Sequence, residues 1–208
     1  MSRSGKAVAL EGIDFAGKTT QAGRLRSWLE STGKRVASFN FPDRTTRIGA
    51  LLDAALERKL QLTPAALFML FAANRLERQA EILTALESCD IVIFDRYSES
   101  EYAYGTARSL PKSWLVGLEA LAYPADLVVV LDVDPNKVGD RMMARGRLDV
   151  FEEDRAFIGR VRTAYVDLVA DPPRPGQVWE RIDGLKGVEE VHAMVRALVS
   201  RHLLVGKE

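Results

Sequence analysis

The sequence lacks the features that mark several classes of protein. It has a single cysteine, Cys89, so no internal disulfide can form and no cysteine-based metal site can be built. Neither sign of charge is in excess: 29 Lys and Arg stand against 29 Asp and Glu, a formal net charge of +0. That balance removes the bulk attraction of a dedicated nucleic-acid or anionic-membrane binder but allows a small, locally basic pocket. Long hydrophobic runs are also missing. The longest, Ala65 to Ala73, has nine residues, against roughly 20 for a membrane-spanning helix. Met1 to Lys6 and the short apolar stretch up to Glu11 are too short and too acidic for a secretion signal. The expectation is a cytoplasmic protein with neither a membrane nor a nucleic-acid polymer as partner.

What is present suits one compact unit over 1–208, since 208 residues with 47% hydrophobic side chains can bury a full core. Strand-like and helix-like periodicity alternate along it. Lys6 to Leu10 reads as a strand, Lys18 to Glu30 as a helix ended by Gly33, Arg35 to Phe41 as a second strand, and Ile48 to Leu60 as a helix. Thr63-Pro64 supplies an N-cap and a proline at the first helical position, opening one long helix to about Ser88. Asp90 to Asp95 and Leu127 to Leu131 are near-continuous apolar runs, the mark of strands buried on both faces of a parallel sheet. Helices are expected at Ser98 to Leu110, Ser113 to Leu121, Pro135 to Arg145, Phe151 to Ala170 and Val188 to Leu204, with a fifth strand at Gln177 to Ile182. The fold class is α/β, a parallel sheet with helices on both faces.

Gly12-Ile13-Asp14-Phe15-Ala16-Gly17-Lys18-Thr19 fits the pattern G-x-x-x-x-G-K-[ST] between an expected strand and an expected helix, the context that gives the pattern its meaning. Glycines let backbone N–H groups curl around phosphate oxygens, the helix N-terminus adds positive potential, and Lys18 reaches the outer phosphates. The Thr19 hydroxyl suits Mg²⁺. Asp95 and Arg96 end the third strand, where a parallel sheet presents its ligands. Asp95 is placed to orient Mg²⁺ and its waters, and the Arg96 guanidinium to grip a phosphate. A phosphate loop alone does not separate a kinase from a switch or motor ATPase.

Taken in order, Glu11 to Gln21, Phe41-Pro42-Asp43-Arg44, Leu70 to Arg75 and Asp95-Arg96-Tyr97 resemble the thymidylate kinase family, from the first strand through Tyr165. The resemblance implies a five-stranded P-loop nucleotide-kinase fold with an arginine-bearing lid, usually a homodimer, that uses ATP and Mg²⁺ to convert dTMP to dTDP. It implies that residues Gly12 to Thr20 wrap the ATP phosphates and that an acceptor region spans about 41–88. Asp14 would accept from the deoxyribose 3′-hydroxyl, and Arg44 and Arg96 would hold the acceptor phosphate. Phe71 would stack on thymine, Arg75 would donate to its O4, and Tyr104 would crowd the sugar 2′ position. Phe41, Ser100 and Glu101 would complete the acceptor side. Without the resemblance, Phe71 reads as core, Arg44 as a surface residue, and Arg75 and Arg78 as a solvated helix face pairing with Glu77 and Glu81.

Two positions depart from the commonest family pattern. Phe15 stands where some members carry an arginine in the phosphate loop, and the lid segment at about 141–152 offers compensation: Arg141 and Arg145 share a helix face, Gly146 permits a hinge, and Arg147 follows. Arg141 would reach ATP, while Arg145 or Arg147 would supply charge to the transition state. Glu101 stands where members usually carry a small or amide residue, and its carboxylate could accept the thymine N3–H. Alternatives remain: a kinase for another nucleotide or deoxynucleoside, or a non-catalytic nucleotide-binding protein.

Overall fold

The computed structural model describes residues 5–138 and 154–204. Five strands, β1 (Lys6–Glu11), β2 (Val36–Asn40), β3 (Ile91–Asp95), β4 (Leu127–Asp132) and β5 (Val178–Asp183), form one all-parallel sheet in the order β2-β3-β1-β4-β5. The helices are α1 (Lys18–Ser31), α2 (Arg47–Leu56), α3 (Pro64–Leu76), α4 (Gln79–Ser88), α5 (Ser98–Ala107), α6 (Lys112–Leu118), α7 (Arg155–Ala170) and α8 (Val188–Val199). A 3₁₀ turn at Pro135–Lys137 and a single π turn at Ser200–Leu204 complete the described elements.

The apolar runs become the three inner strands. Ala7 to Leu10, Val92 to Phe94 and Leu127 to Val129 are all fully buried, because helices cover both faces of the sheet and leave no polar side. The outer strand β5 is less covered: Trp179 and Ile182, on opposite faces, are buried, and Val178, Arg181 and Asp183 are exposed. Register brings Leu10 opposite Asp95 and Glu11 opposite Val130. The ends of β1 and β3 thus lie side by side at the position where successive strands begin to be added on opposite sides, which is where open α/β sheets bind ligands.

Several boundaries differ from expectation. The helix expected over 64–88 is two helices separated at Glu77 and Arg78. No glycine or proline marks the break, which coincides with a tertiary tie. Asn74 accepts from the amide of Asp43 at 2.7 Å and donates to Glu77 at 2.9 Å, while Arg78 pairs with Asp43 and with Glu81. Helix α2 stops at Leu56 rather than Leu60 because Arg58 adopts φ 60, with Arg58 N donating to Ala55 O at 3.0 Å and Lys59 N to Ala54 O at 2.8 Å. This is a Schellman closure made without its usual glycine. Asp154 caps α7 by accepting from Phe157 N at 2.9 Å, so that helix starts after position 151. The helix expected from Pro135 is a 3₁₀ turn as far as it is described. No helix among the described residues is long and apolar enough to cross a membrane.

Candidate active site

Between β1 and α1 the chain turns through the glycine loop. Gly12 has φ 134, and a Cβ there would lie 2.5 Å from the carbonyl oxygen of Leu131, so only glycine lets the loop press against β4. Gly17 caps α1 in the left-handed region with no side-chain cap bond. The first amides of α1 therefore have no side-chain acceptor at the helix end, the arrangement that takes a phosphate. Gly49 makes a second close approach: a Cβ would lie 2.0 Å from the Asp43 oxygen, which seats α2 hard against the loop after β2.

Lys18 is buried and donates to the Ile13 carbonyl at 2.7 Å. Thr19 donates its hydroxyl to Asp95 at 2.6 Å, joining the start of α1 to the end of β3. Arg96, held at φ 62, pairs with Asp14 and donates to the Gly12 carbonyl at 3.1 Å and to Ser100 at 3.3 Å. Left-handed backbone at a non-glycine residue is costly and collects at functional sites. The second Asp14 oxygen accepts from the Tyr104 hydroxyl at 2.9 Å.

Below this layer lies Glu11, fully buried. It accepts from the Tyr97 amide, the Ser100 hydroxyl and the Tyr165 hydroxyl, each at 2.7 Å. Burial pushes its carboxyl above the usual range, against Arg96 and these hydrogen bonds. Burial acts in the same direction on Asp14, but Arg96 and Lys18 outweigh it and hold that carboxyl down at about 2. Lys18 is lowered to about 8 by burial and by Arg96, with Asp14, Asp95 and Glu11 opposing. The site thus holds two cations against several acids in a poorly solvated place, where charge effects are large.

The other half of the site is built from other elements. Arg44, in the loop after β2, is exposed and pairs with Asp53 at 2.9 Å. Phe41 is buried, and Phe71 is half-buried with its ring edge-on to Phe68 at 6.1 Å and 77°. Arg75 is not on a solvated face. It is 3% exposed and lies between two buried carboxylates, Glu101 at 2.5 Å and Glu119, whose Oε2 accepts from Nε at 3.1 Å.

One cleft of about 730 Å³ gathers these groups. Of the site residues expected from sequence, Asp14 to Thr20, Phe41, Arg44, Phe71, Arg75, Asp95, Arg96, Ser100, Glu101 and Tyr104 line it. Gly12 and Ile13 lie behind, contributing carbonyls to Arg96 and Lys18. Arg141, Arg145 and Arg147 lie outside the described residues. Sequence reasoning missed the wall formed by Gly184, Lys186, Val188 and Val191, which the fold delivers from the β5–α8 connection without any local motif. It also gave no role to Glu11 or Glu119. An acid ending an apolar strand was a usable signal for the first, whereas nothing in the sequence around Glu119 sets it apart.

Known proteins resemble this chain in sequence and in fold. The family model described as thymidylate kinase matches residues 10–195. The chain is 31% identical to thymidylate kinase of Danio rerio, covering 99% of this chain and 95% of that protein. It is 36% identical to a probable thymidylate kinase of Pyrococcus abyssi, covering 95% and 97%. In three dimensions it resembles the solved thymidylate kinase of Candida albicans, with a TM-score of 0.76 at 24% identity over 97% of this chain and 93% of that one.

Proposed function

Because the chain belongs to the thymidylate kinase family, we infer that it transfers the γ-phosphoryl group of ATP to dTMP, giving ADP and dTDP, in the cytoplasm. The observation that carries this reading is the single cleft with a phosphate loop in one wall and Arg44, Arg96, Phe71 and Arg75 in another. A phosphate monoester fits the two arginines, and a flat base fits beside an aromatic ring.

In this reaction a phosphate oxygen of dTMP forms a bond to the γ-phosphorus as the bond to the β–γ bridging oxygen breaks. The phosphate monoester is largely ionised at neutral pH, so the step needs alignment and charge neutralisation more than a strong base. Lys18 and the loop amides hold the donor phosphates, while Arg44 and Arg96 hold the acceptor phosphate in line. Asp14, already engaged by Arg96 and Tyr104, retains lone pairs for the sugar 3′-hydroxyl. Thr19 and Asp95 offer hard oxygens 2.6 Å apart, the donor chemistry of Mg²⁺, which is commonly bound by one or two protein oxygens plus substrate phosphates. These two would hold Mg²⁺, which neutralises the donor phosphates when bound. Arg145 or Arg147 adds charge at the transferred group, and Arg141 contacts ATP. A second copy of the chain covers the exposed apolar side chains Leu51 and Met69 of α2 and α3.

A coupled assay of ADP release with dTMP, dUMP, dCMP, dGMP and thymidine tests the reading. Acceptor-dependent turnover highest with dTMP is expected. ATP binding without acceptor-dependent turnover, or thymidine used in preference to its monophosphate, overturns it.

A further inference from the structure

The Arg75 cluster sits at the base end of the cleft and uses a residue that does not line it. Glu119, just past α6, is 1% exposed and takes the Nε and Nη2 edge of Arg75. Glu101 takes Nη2 as well, through Oε2 at 2.5 Å. What remains is specific. The two carboxylates take Nε and Nη2 of Arg75 and leave Nη1 as the donor for a ligand, while Oε1 of Glu101 is buried without a partner among the described residues. Arg75 lines the cleft, so a bound base meets a nitrogen that can only donate, whereas Oε1 of Glu101 is closed off from solvent and burial raises that carboxyl to about 8.

Resting on the dTMP reading above, we propose that Glu119 is a positioning residue for base recognition. It holds the guanidinium of Arg75 by its Nε–Nη2 edge, so that Arg75 donates to a ring carbonyl and rejects an amine at the same position of the ring. Thymine and uracil present the first pattern and cytosine the second. The polarity matters because a site built to hydrogen-bond one pattern leaves its own buried groups unpaired with the other. Glu119 is itself anchored. Arg174, from the proline-rich turn at 172–175, donates to the main-chain carbonyls of Glu119 and, at 3.0 Å, Ala122. That turn thus steadies the carboxylate that steadies the base reader. A bidentate grip fixes the rotation of a guanidinium, which a single bond does not.

Removing Glu119 leaves Arg75 and Glu101 as a one-to-one ion pair, so no buried charge is stranded, and Glu119→Gln keeps the volume with one acceptor. The test measures kcat and KM for dTMP, dCMP and ATP in the intact chain, in Glu119→Ala and in Glu119→Gln. The expected result is a rise in KM for dTMP, a dTMP-over-dCMP selectivity reduced about tenfold or more, an unchanged KM for ATP, and partial recovery in Glu119→Gln. If Glu119→Ala does not fold, the same selectivity ratio in Glu119→Gln decides. Variants that keep the parent ratio, or that lose activity equally toward both acceptors, overturn the role of Glu119 while leaving the dTMP reading intact. A parent enzyme that turns over neither dTMP nor dUMP overturns the underlying reading instead.

Discussion

Tyr165 donates its hydroxyl to Glu11 across 2.7 Å, tying α7 to the end of β1 directly behind the layer of Arg96, Asp14 and Tyr104. The same Glu11 oxygen accepts from Ser100, and Ser100 in turn accepts from Arg96 at 3.3 Å. The pose of Arg96 therefore depends on a buried carboxylate three elements share. Tyr165→Phe removes one of the bonds to a fully buried acid, which typically costs about 1 to 3 kcal/mol. The expected outcome is a lower unfolding midpoint together with a reduced kcat/KM for dTMP and little change for ATP. A variant with the parent's denaturation midpoint and acceptor kinetics would remove Tyr165 from this chain of support.

Glu99 makes a stability prediction of the opposite kind. It is fully buried and receives Gln177 Nε2 on one oxygen at 2.8 Å, while its other oxygen has no partner. Burial raises its carboxyl to about 7, Glu11 adding to the rise. For an acid whose folded value lies above its unfolded one, the neutral form favours folding. The penalty is absent below about pH 4.5, grows as pH rises through the interval, and is complete above about pH 7, reaching about 3 kcal/mol. Glu99→Gln should therefore stabilise the protein more at pH 8 than at pH 5, by thermal denaturation. The difference between the two pH values is the readout, since a buried amide carries its own hydrogen-bonding demands at both. An equal effect at both would sink the idea.

How much of this was readable in advance depends on where the information resides. The three inner strands were legible because burial on both faces writes itself locally as Val92-Ile93-Phe94 or Val128-Val129-Val130. The loop from Gly12 to Thr19 was legible for the same reason, since its geometry needs particular residues at fixed spacing. The break between α3 and α4 was not, because it coincides with Asn74 and Arg78 reaching the distant Asp43. Nor was the end of α2, where Arg58 occupies a left-handed position that glycine usually marks. Arg75 shows both sides: helical spacing suggested a solvated face and family resemblance a base contact, but neither indicated Glu119, which arrives from 44 residues away.

The arginines between 141 and 152 yield a prediction that rests on sequence alone. On the resemblance drawn from the sequence, Phe15 stands where some family members carry an arginine, and the proposal is that this segment supplies the charge at the transferred group instead. An arginine finger contributes about 10³ to 10⁵ in rate. One of Arg145→Ala and Arg147→Ala should therefore lower kcat by about that factor with a much smaller effect on the KM for dTMP. Near-parent kcat in both single variants would rule out the segment as the source.

Lys18 gives the pH dependence of donor binding. Burial and the neighbouring Arg96 bring its ammonium down to about 8, with Asp14, Asp95 and Glu11 acting in the other direction. Below that value the side chain is charged and attracts the ATP phosphates; above it the charge is lost in the free enzyme. Since kcat/KM for a substrate reports the ionisation of the free enzyme, kcat/KM for ATP should fall as pH rises through about 8, approaching a tenfold loss per unit. Arg44 and Arg96 do not titrate there, but Glu101 in the same cleft, raised by burial to about 8, does, so the readout for Lys18 is kcat/KM for ATP rather than for dTMP. A profile for ATP that remains level to pH 9.5 would show that Lys18 keeps its proton and that Asp14 and Asp95 dominate its surroundings.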